Sequence, residues 1–233
     1  MPEMIADNLK FVTKRIAKCC EKAGRPLDSV KLIAVTKEAS ISQMNEAVEA
    51  GVSSFGENRV QDALIKHRVI GNGVEWHLIG HLQTNKVKDA VRIFSLIHSV
   101  DSLKLAQTID KEAARIGKRQ NILIQVNTSG EGSKFGISPE ETIGFLKEAS
   151  LYPNINIRGL MTIAPEVSAT ETVRPYFRAL RELLNKTSPI IKSRSDETEY
   201  STLSMGMTND FEIAIEEGSN MVRIGRAIFK NDK

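Results

Sequence analysis

The stretch LIAVTKEAS, residues 32 to 40, decides how the rest of the chain is read. Four apolar residues in a row have the character of a strand buried on both faces, and a helix-start signal follows at once. Strand running straight into helix is the opening of a β-α unit. Yet this strand ends on Thr36 and Lys37, and a charge at the end of a buried run needs a reason.

The unit recurs along the chain. Strands are expected at 30–36, 52–55, 75–79, 93–98, 121–126, 155–161, 200–203 and 221–224. Helices are expected at 40–50, 59–67, 85–91, 101–116 with Asp101 as cap, from Ser138 onward, at 170–186 and at 209–217. The Ser138-Pro139-Glu140-Glu141 start combines a capping box with proline at the first helical position. Before all of these, Ile5, Leu9, Val12, Ile16 and Ala23 share one helical face until Gly24 and Pro26 stop it. Short apolar strands alternating with helices imply a parallel sheet covered on both faces, and eight such units imply a closed (β/α)8 barrel. The chain is therefore expected to be one α/β domain over residues 1–233, a TIM barrel with an extra N-terminal helix over 1–24. Only residues 225–233 follow the last strand, too few for a full eighth helix, so the N-terminal helix is expected near that gap. An open doubly wound sheet is the rival, but no Gly-x-Gly-x-x-Gly follows the first strand. Residues 186–199 (KTSPIIKSRSDETE) are polar apart from Pro189, Ile190 and Ile191, and are expected to form a mobile loop before strand seven.

Composition removes several classes of function. The 233 residues are 41% hydrophobic and 26% charged, as in an ordinary globular protein, and the net charge of +3 comes from 32 basic and 29 acidic residues. These are scattered, with no basic block and no aromatic-and-basic stripe, which argues against a nucleic-acid binder. No apolar run approaches the length of a membrane span, and charges throughout residues 1 to 20 argue against a secretory signal. Cys19 and Cys20 are adjacent within a helical pattern, which suits neither a disulfide framework nor a zinc site. A cytoplasmic location is expected.

In such a barrel, ligands sit where the strands end. Polar residues and glycines gather there: Lys37; Phe55-Gly56-Glu57-Asn58; Gly80-His81; His98 to Asp101; Asn127-Thr128; Met161-Thr162; Ser204-Met205-Gly206; and Arg223-Ile224-Gly225. Lys37 reads in two ways. A partly desolvated lysine is an amine nucleophile for Schiff-base chemistry, and a lysine at a strand end also simply carries its charge out to water. Ser204 with Gly206, and Gly225, fall after strands seven and eight, where these barrels commonly bind phosphate, or they are routine turns. Arg223 can point into the barrel mouth or pair at the surface. His81 and His98 suit a general base or a structural hydrogen bond. Asn58 can donate to a ring hydroxyl or phosphate, while Glu57 more simply orders its turn. His67, His77, His81 and His98 form no metal-ligand pattern.

Taken together, AVTK (34–37), FGENRVQ (55–61), WHLIGHLQTNK (76–86), HSVD (98–101), QVNTSGEGSKFG (125–136), GLMTI (159–163), LSMGMTND (203–210) and VRIGRAIF (222–229) resemble one family, in order and at suitable distances. It is the YggS/PROSC-type pyridoxal phosphate (PLP) homeostasis family, and the resemblance covers the whole chain. It implies a barrel similar to the alanine racemase N-terminal domain (PLP fold type III), with PLP held as a covalent aldimine on Lys37. It implies Asn58, His81 and Met161 near the cofactor, Ser204, Gly206 and Gly225 at the phosphate, and Arg223 facing the pyridine nitrogen, which keeps that nitrogen unprotonated. Thr36 departs from the family's common serine, Phe135 occupies a variable position, and the 186–199 segment exceeds the usual length.

The resemblance implies an intracellular carrier and regulator of PLP, expected to be monomeric and to pass the cofactor to apo PLP enzymes. A racemase is the alternative. It needs a second base from a further domain, and here no tyrosine stands at a strand end. A Schiff-base aldolase without PLP would share Lys37 and the phosphate site.

Overall fold

The computed structural model describes residues 2–132, 134–165, 169–192 and 200–230. Its strands are β1 (Lys31–Val35), β2 (Ser54–Glu57), β3 (Glu75–Leu78), β4 (Leu96–Val100), β5 (Gln120–Gln125), β6 (Ile155–Met161), β7 (Thr202–Ser204) and β8 (Met221–Ile224). They pair in sequence order and all in parallel, and β8 returns to β1 with Ala34 against Ile224, so the barrel closes. A closed sheet leaves no strand edge exposed, and its apolar runs are covered on one side by helices and on the other by each other.

The helices are α1 (Pro2–Lys22), α2 (Ile41–Glu49), α3 (Val60–Ile70), α4 (Val87–Ile93), α5 (Leu103–Arg115), α6 (Thr142–Ala149), α7 (Arg174–Lys192), α8 (Phe211–Glu216) and the single turn α9 (Arg226–Phe229). Helix α1 supplies the cover that α9 is too short to give. Asn8 donates to the Ile228 carbonyl at 3.0 Å, Arg15 pairs with Glu212 at 2.9 Å, and Cys19 and Cys20 are buried as free thiols.

Two hydrophobic layers result. The larger lies between strands and helices and includes Phe55 and Trp76 in edge-to-face contact at 5.7 Å. The smaller gathers Ile33, Leu96, Leu123, Met161 and Met221 from five strands, which can meet only inside the barrel. Because strand side chains alternate, these five fix the inward register. On β1 the inward positions are Lys31, Ile33 and Val35, and Lys37 continues the series past the strand end.

Several boundaries differ from expectation. Strand β4 runs two residues further, to Val100, and α5 is capped by the Ser102 hydroxyl, which accepts from the Leu105 N–H at 3.3 Å, rather than by Asp101. The Ser138–Glu141 capping box forms, but it closes a turn ahead of α6. The expected 186–199 loop is corrected over its first half, since residues 186–192 are the last turns of α7 and Pro189 lies within the helix. Burial supplies the reason: Ile191 is 4% exposed, and the buried Thr187 hydroxyl ties the Leu183 carbonyl to the Tyr200 hydroxyl. Residues 193–199 lie outside the described residues.

Candidate functional site

The inward register carries the rim residues to one mouth. Strands β1 and β8 are neighbours, so Lys37 and Gly225 stand side by side, and they line one small recess with Val35 and Arg226. Close approach explains the glycine. A Cβ at Gly225 would lie 3.0 Å from the Val35 carbonyl oxygen and 3.1 Å from its Cβ. Lys37 is half exposed, and its one ion pair among the described residues is a long 3.8 Å contact to Glu38, so its amine is accessible.

Beneath Lys37 the strand end is pinned. Lys66 of α3 donates to the Thr36 carbonyl at 2.5 Å and to Glu57 at 2.7 Å, and the Thr36 hydroxyl also donates to Glu57. The Glu57 side chain is fully buried. The reading that Glu57 orders its turn describes its contacts well. Lys66 carried no sequence signal, because it lies on a helix without any motif.

On the β7–β8 side, Gly206 has φ +94°, and a Cβ there would lie 2.6 Å from the Ala214 Cβ. Only glycine lets this turn rest directly on α8. Asp210, raised in pKa chiefly by burial, accepts from the Met207 N–H at 2.6 Å and holds the turn's shape. The Ser204 side chain does not face the rim. Its hydroxyl accepts from the Arg223 guanidinium at 2.6 Å and lies 2.9 Å from His98 Nδ1 inside the barrel. Strand alternation at β7 turns the hydroxyl inward, where Arg223 and His98 are its two partners.

Arg223 is the most unusual side chain in the site. It is 3% exposed, and it donates to the Ser204 hydroxyl and to the Thr162 carbonyl at 2.9 Å. Burial lowers its pKa to about 10, opposed by the charge of Asp210. It remains a cation at neutral pH, with two of its five N–H groups committed to neutral acceptors.

The other anticipated residues divide by depth. Asn58 is half-buried at an inward position above β2, and Met161 is fully buried in the interior apolar cluster. His81 sits on the rim, stacked on Phe135 at 4.1 Å between ring centroids and 3.7 Å from Asp101. It lines a wider 420 Å³ cleft with Gln83, Asn85, Asp101 and Ser102, to one side of the Lys37 recess. His98 is fully buried, which holds its pKa well below the usual histidine range, and it serves as a structural partner. His77 and Glu75, which continue its contacts, had a readable signal: both occupy inward positions of β3, facing β4. Among the described residues no group of three or more His, Cys, Asp or Glu is placed to hold a metal, and no helix is long and apolar enough to cross a membrane.

With this geometry in place, similarity to known proteins is informative. Residues 8–232 match the alanine racemase N-terminal domain. The chain is 42% identical over 228 residues to a pyridoxal phosphate homeostasis protein of Aquifex aeolicus, covering 97% of this chain and 98% of that one. Among solved structures, PipY of Synechococcus elongatus with PLP bound is 32% identical with a TM-score of 0.81, covering 97% of this chain and 99% of that one. The crystal structure of an unknown protein from Bifidobacterium adolescentis is 36% identical with a TM-score of 0.92, covering 98% of this chain and 95% of that one. An amine and a glycine turn side by side at the mouth of a closed barrel, on a chain with these relatives, lead to one assignment: the chain belongs to the pyridoxal phosphate homeostasis protein family, built on an alanine racemase N-terminal domain.

Proposed function

We propose that this protein binds pyridoxal 5'-phosphate through Lys37 and acts in PLP homeostasis as a carrier rather than as a robust catalyst. The observation that carries the reading is the buried Arg223. A charge taken out of water is normally paired, yet the hydrogen bonds of Arg223 go to a hydroxyl and a carbonyl. Such a site suits an electron-rich ligand at the mouth. The donor set fits PLP: an accessible amine for its aldehyde, close backbone at Gly206 and Gly225 for its phosphate, and a guanidinium for its ring nitrogen.

When bound, PLP supplies an electrophilic aldehyde and, in a protonated ring, an electron sink. Lys37 would hold the cofactor through its side-chain amine. Arg223, which keeps its own proton, offers none to the ring nitrogen and so restrains the electron sink. Gly206 and Gly225 present main chain to the phosphate. Asn58 and His81, after β2 and β3, would border the cofactor, with Met161 beneath it. Ser204 contributes indirectly, by holding Arg223. Apo PLP enzymes are the recipients this reading calls for, with the protein acting as a monomer in the cytoplasm.

Borohydride reduction of the PLP-loaded protein, followed by peptide mapping, tests the central assignment. The modification should appear on Lys37 and vanish in Lys37→Ala. Unchanged covalent stoichiometry in that variant would remove Lys37 from its role. Transfer to an apo PLP enzyme, compared with free PLP, tests the carrier, and conversion of an L-amino acid to its D-isomer well beyond free PLP would favour a racemase instead.

A further inference from the structure

A row of polar side chains crosses the barrel from one rim to the other. At the rim where the strands begin, Glu75 of β3 is half exposed and accepts from Lys31 of β1. Glu75 Oε2 lies 3.2 Å from His77 Nε2, and His77 Nδ1 lies 2.9 Å from His98 Nε2. His98 Nδ1 lies 2.9 Å from the Ser204 hydroxyl, which accepts from Arg223 at 2.6 Å. Both histidines and Ser204 are almost wholly buried, so each of these contacts must be a genuine donor–acceptor pair.

Elementary bookkeeping then sets every proton. A carboxylate only accepts, so His77 carries its proton on Nε2. Neutral His77 therefore accepts at Nδ1, which requires the proton of His98 on Nε2. His98 then accepts at Nδ1, so the Ser204 hydroxyl donates to it and offers its oxygen to Arg223. Run in the opposite sense, both histidines would donate toward Ser204, and its hydroxyl proton would be left without an acceptor in a dry site. The charge on Glu75 selects the first direction.

We propose that Glu75, His77, His98 and Ser204 are positioning residues that fix the direction of a hydrogen-bonded chain through the barrel and thereby hold the Arg223 guanidinium against the cofactor ring. The cofactor half of this proposal rests on the reading that Arg223 faces PLP. The chain itself is a property of the protein alone. It makes Ser204 an acceptor toward Arg223, while the Thr162 carbonyl takes a second N–H, and the remaining donors are left for the ring. A change of charge at the far rim is thus felt at the cofactor, across the full depth of the barrel.

The imidazole 15N signals of the PLP-free protein test the chain without any variant. Both His77 and His98 should be neutral, with a protonated Nε2 and a bare Nδ1. A protonated Nδ1 on either would overturn the proposal. Glu75→Gln keeps the shape but can donate or accept, so the far end no longer enforces the direction and the reversed tautomers should appear as a minor population of both histidines. In the same variant the dissociation constant for PLP should rise roughly tenfold, with a shifted visible absorbance band. Unmixed tautomers, or mixed tautomers with affinity and band unchanged, would overturn it. If instead Arg223→Met leaves PLP affinity unchanged, the placement of Arg223 at the ring fails, and the cofactor half of the proposal with it, while the 15N signals still decide the chain.

Discussion

Two charges are buried beneath the rim, and the molecule treats them differently. The Glu57 carboxylate is met within the chain by the Lys66 ammonium and the Thr36 hydroxyl. The Arg223 guanidinium, equally buried, hydrogen-bonds a hydroxyl and a carbonyl, and the Asp210 carboxylate acts on it only through space. The first charge is neutralised at home and serves to pin the end of β1. The second is oriented but not neutralised, which is how a protein keeps a cation ready for a ligand. The contrast separates scaffold from site more sharply than burial alone does.

Lys66→Met should break this contrast most forcibly. It leaves a fully buried carboxylate unpaired and frees the Thr36 carbonyl, at a cost of about 3 kcal/mol measured by urea unfolding. Arg223→Met should cost the PLP-free protein clearly less, because removing an unneutralised buried charge recovers its desolvation energy while leaving two acceptors unmet. Equal losses in the two variants would mean that Arg223 is as structural as Glu57.

Neither partner of the first charge could be weighed from the sequence. Lys66 sits mid-helix, nine positions after Glu57, and only the barrel's curvature brings the two together. The barrel itself was legible, because each buried strand is a continuous apolar run that ends abruptly on a rim residue. The positions of Lys37, Gly206, Arg223 and Gly225 were legible for the same reason. What stayed hidden was direction and partner. Ser204 and His98 are 106 residues apart, and nothing local announces that the serine turns inward. The end of α7 was hidden by composition, since a polar segment containing Pro189 reads as a loop until the burial of Thr187 and Ile191 is known.

Acid should act next, on the polar chain that orients Arg223. Burial depresses the pKa of both His77 and His98, far more strongly for His98, so each stays neutral in the folded protein below the pH at which it would titrate unfolded. Their contribution is fully present above the unfolded value near 6.5 and is lost as pH falls through their folded values. Glu75, lowered to about 2 chiefly by its hydrogen bond from His77, loses its contribution only between about 4.5 and 2. The urea midpoint should therefore fall between pH 7 and pH 5 before any carboxylate loss from Glu75. The buried acids Asp101 and Asp210, whose pKa values are raised, work in the opposite sense, so the readout is the difference from His98→Gln. A wild-type profile as flat as that variant's over this range would show that the histidines are not held neutral.

A third rim charge asks on which side of the contrast it falls. Asp101 stands where a helix cap was expected, and as a cap it would be scaffold, like Glu57. The structure gives that task to Ser102, and Asp101 faces His81 at 3.7 Å across the mouth of the cleft. Ser102→Ala should therefore cost about 1 kcal/mol, the usual loss for a helix cap. Asp101→Asn should leave stability unchanged or slightly raised, since burial already disfavours its charge. The reverse ranking in urea unfolding would return Asp101 to the scaffold. The expected ranking leaves it, like Arg223, a charge held at the mouth without a structural task.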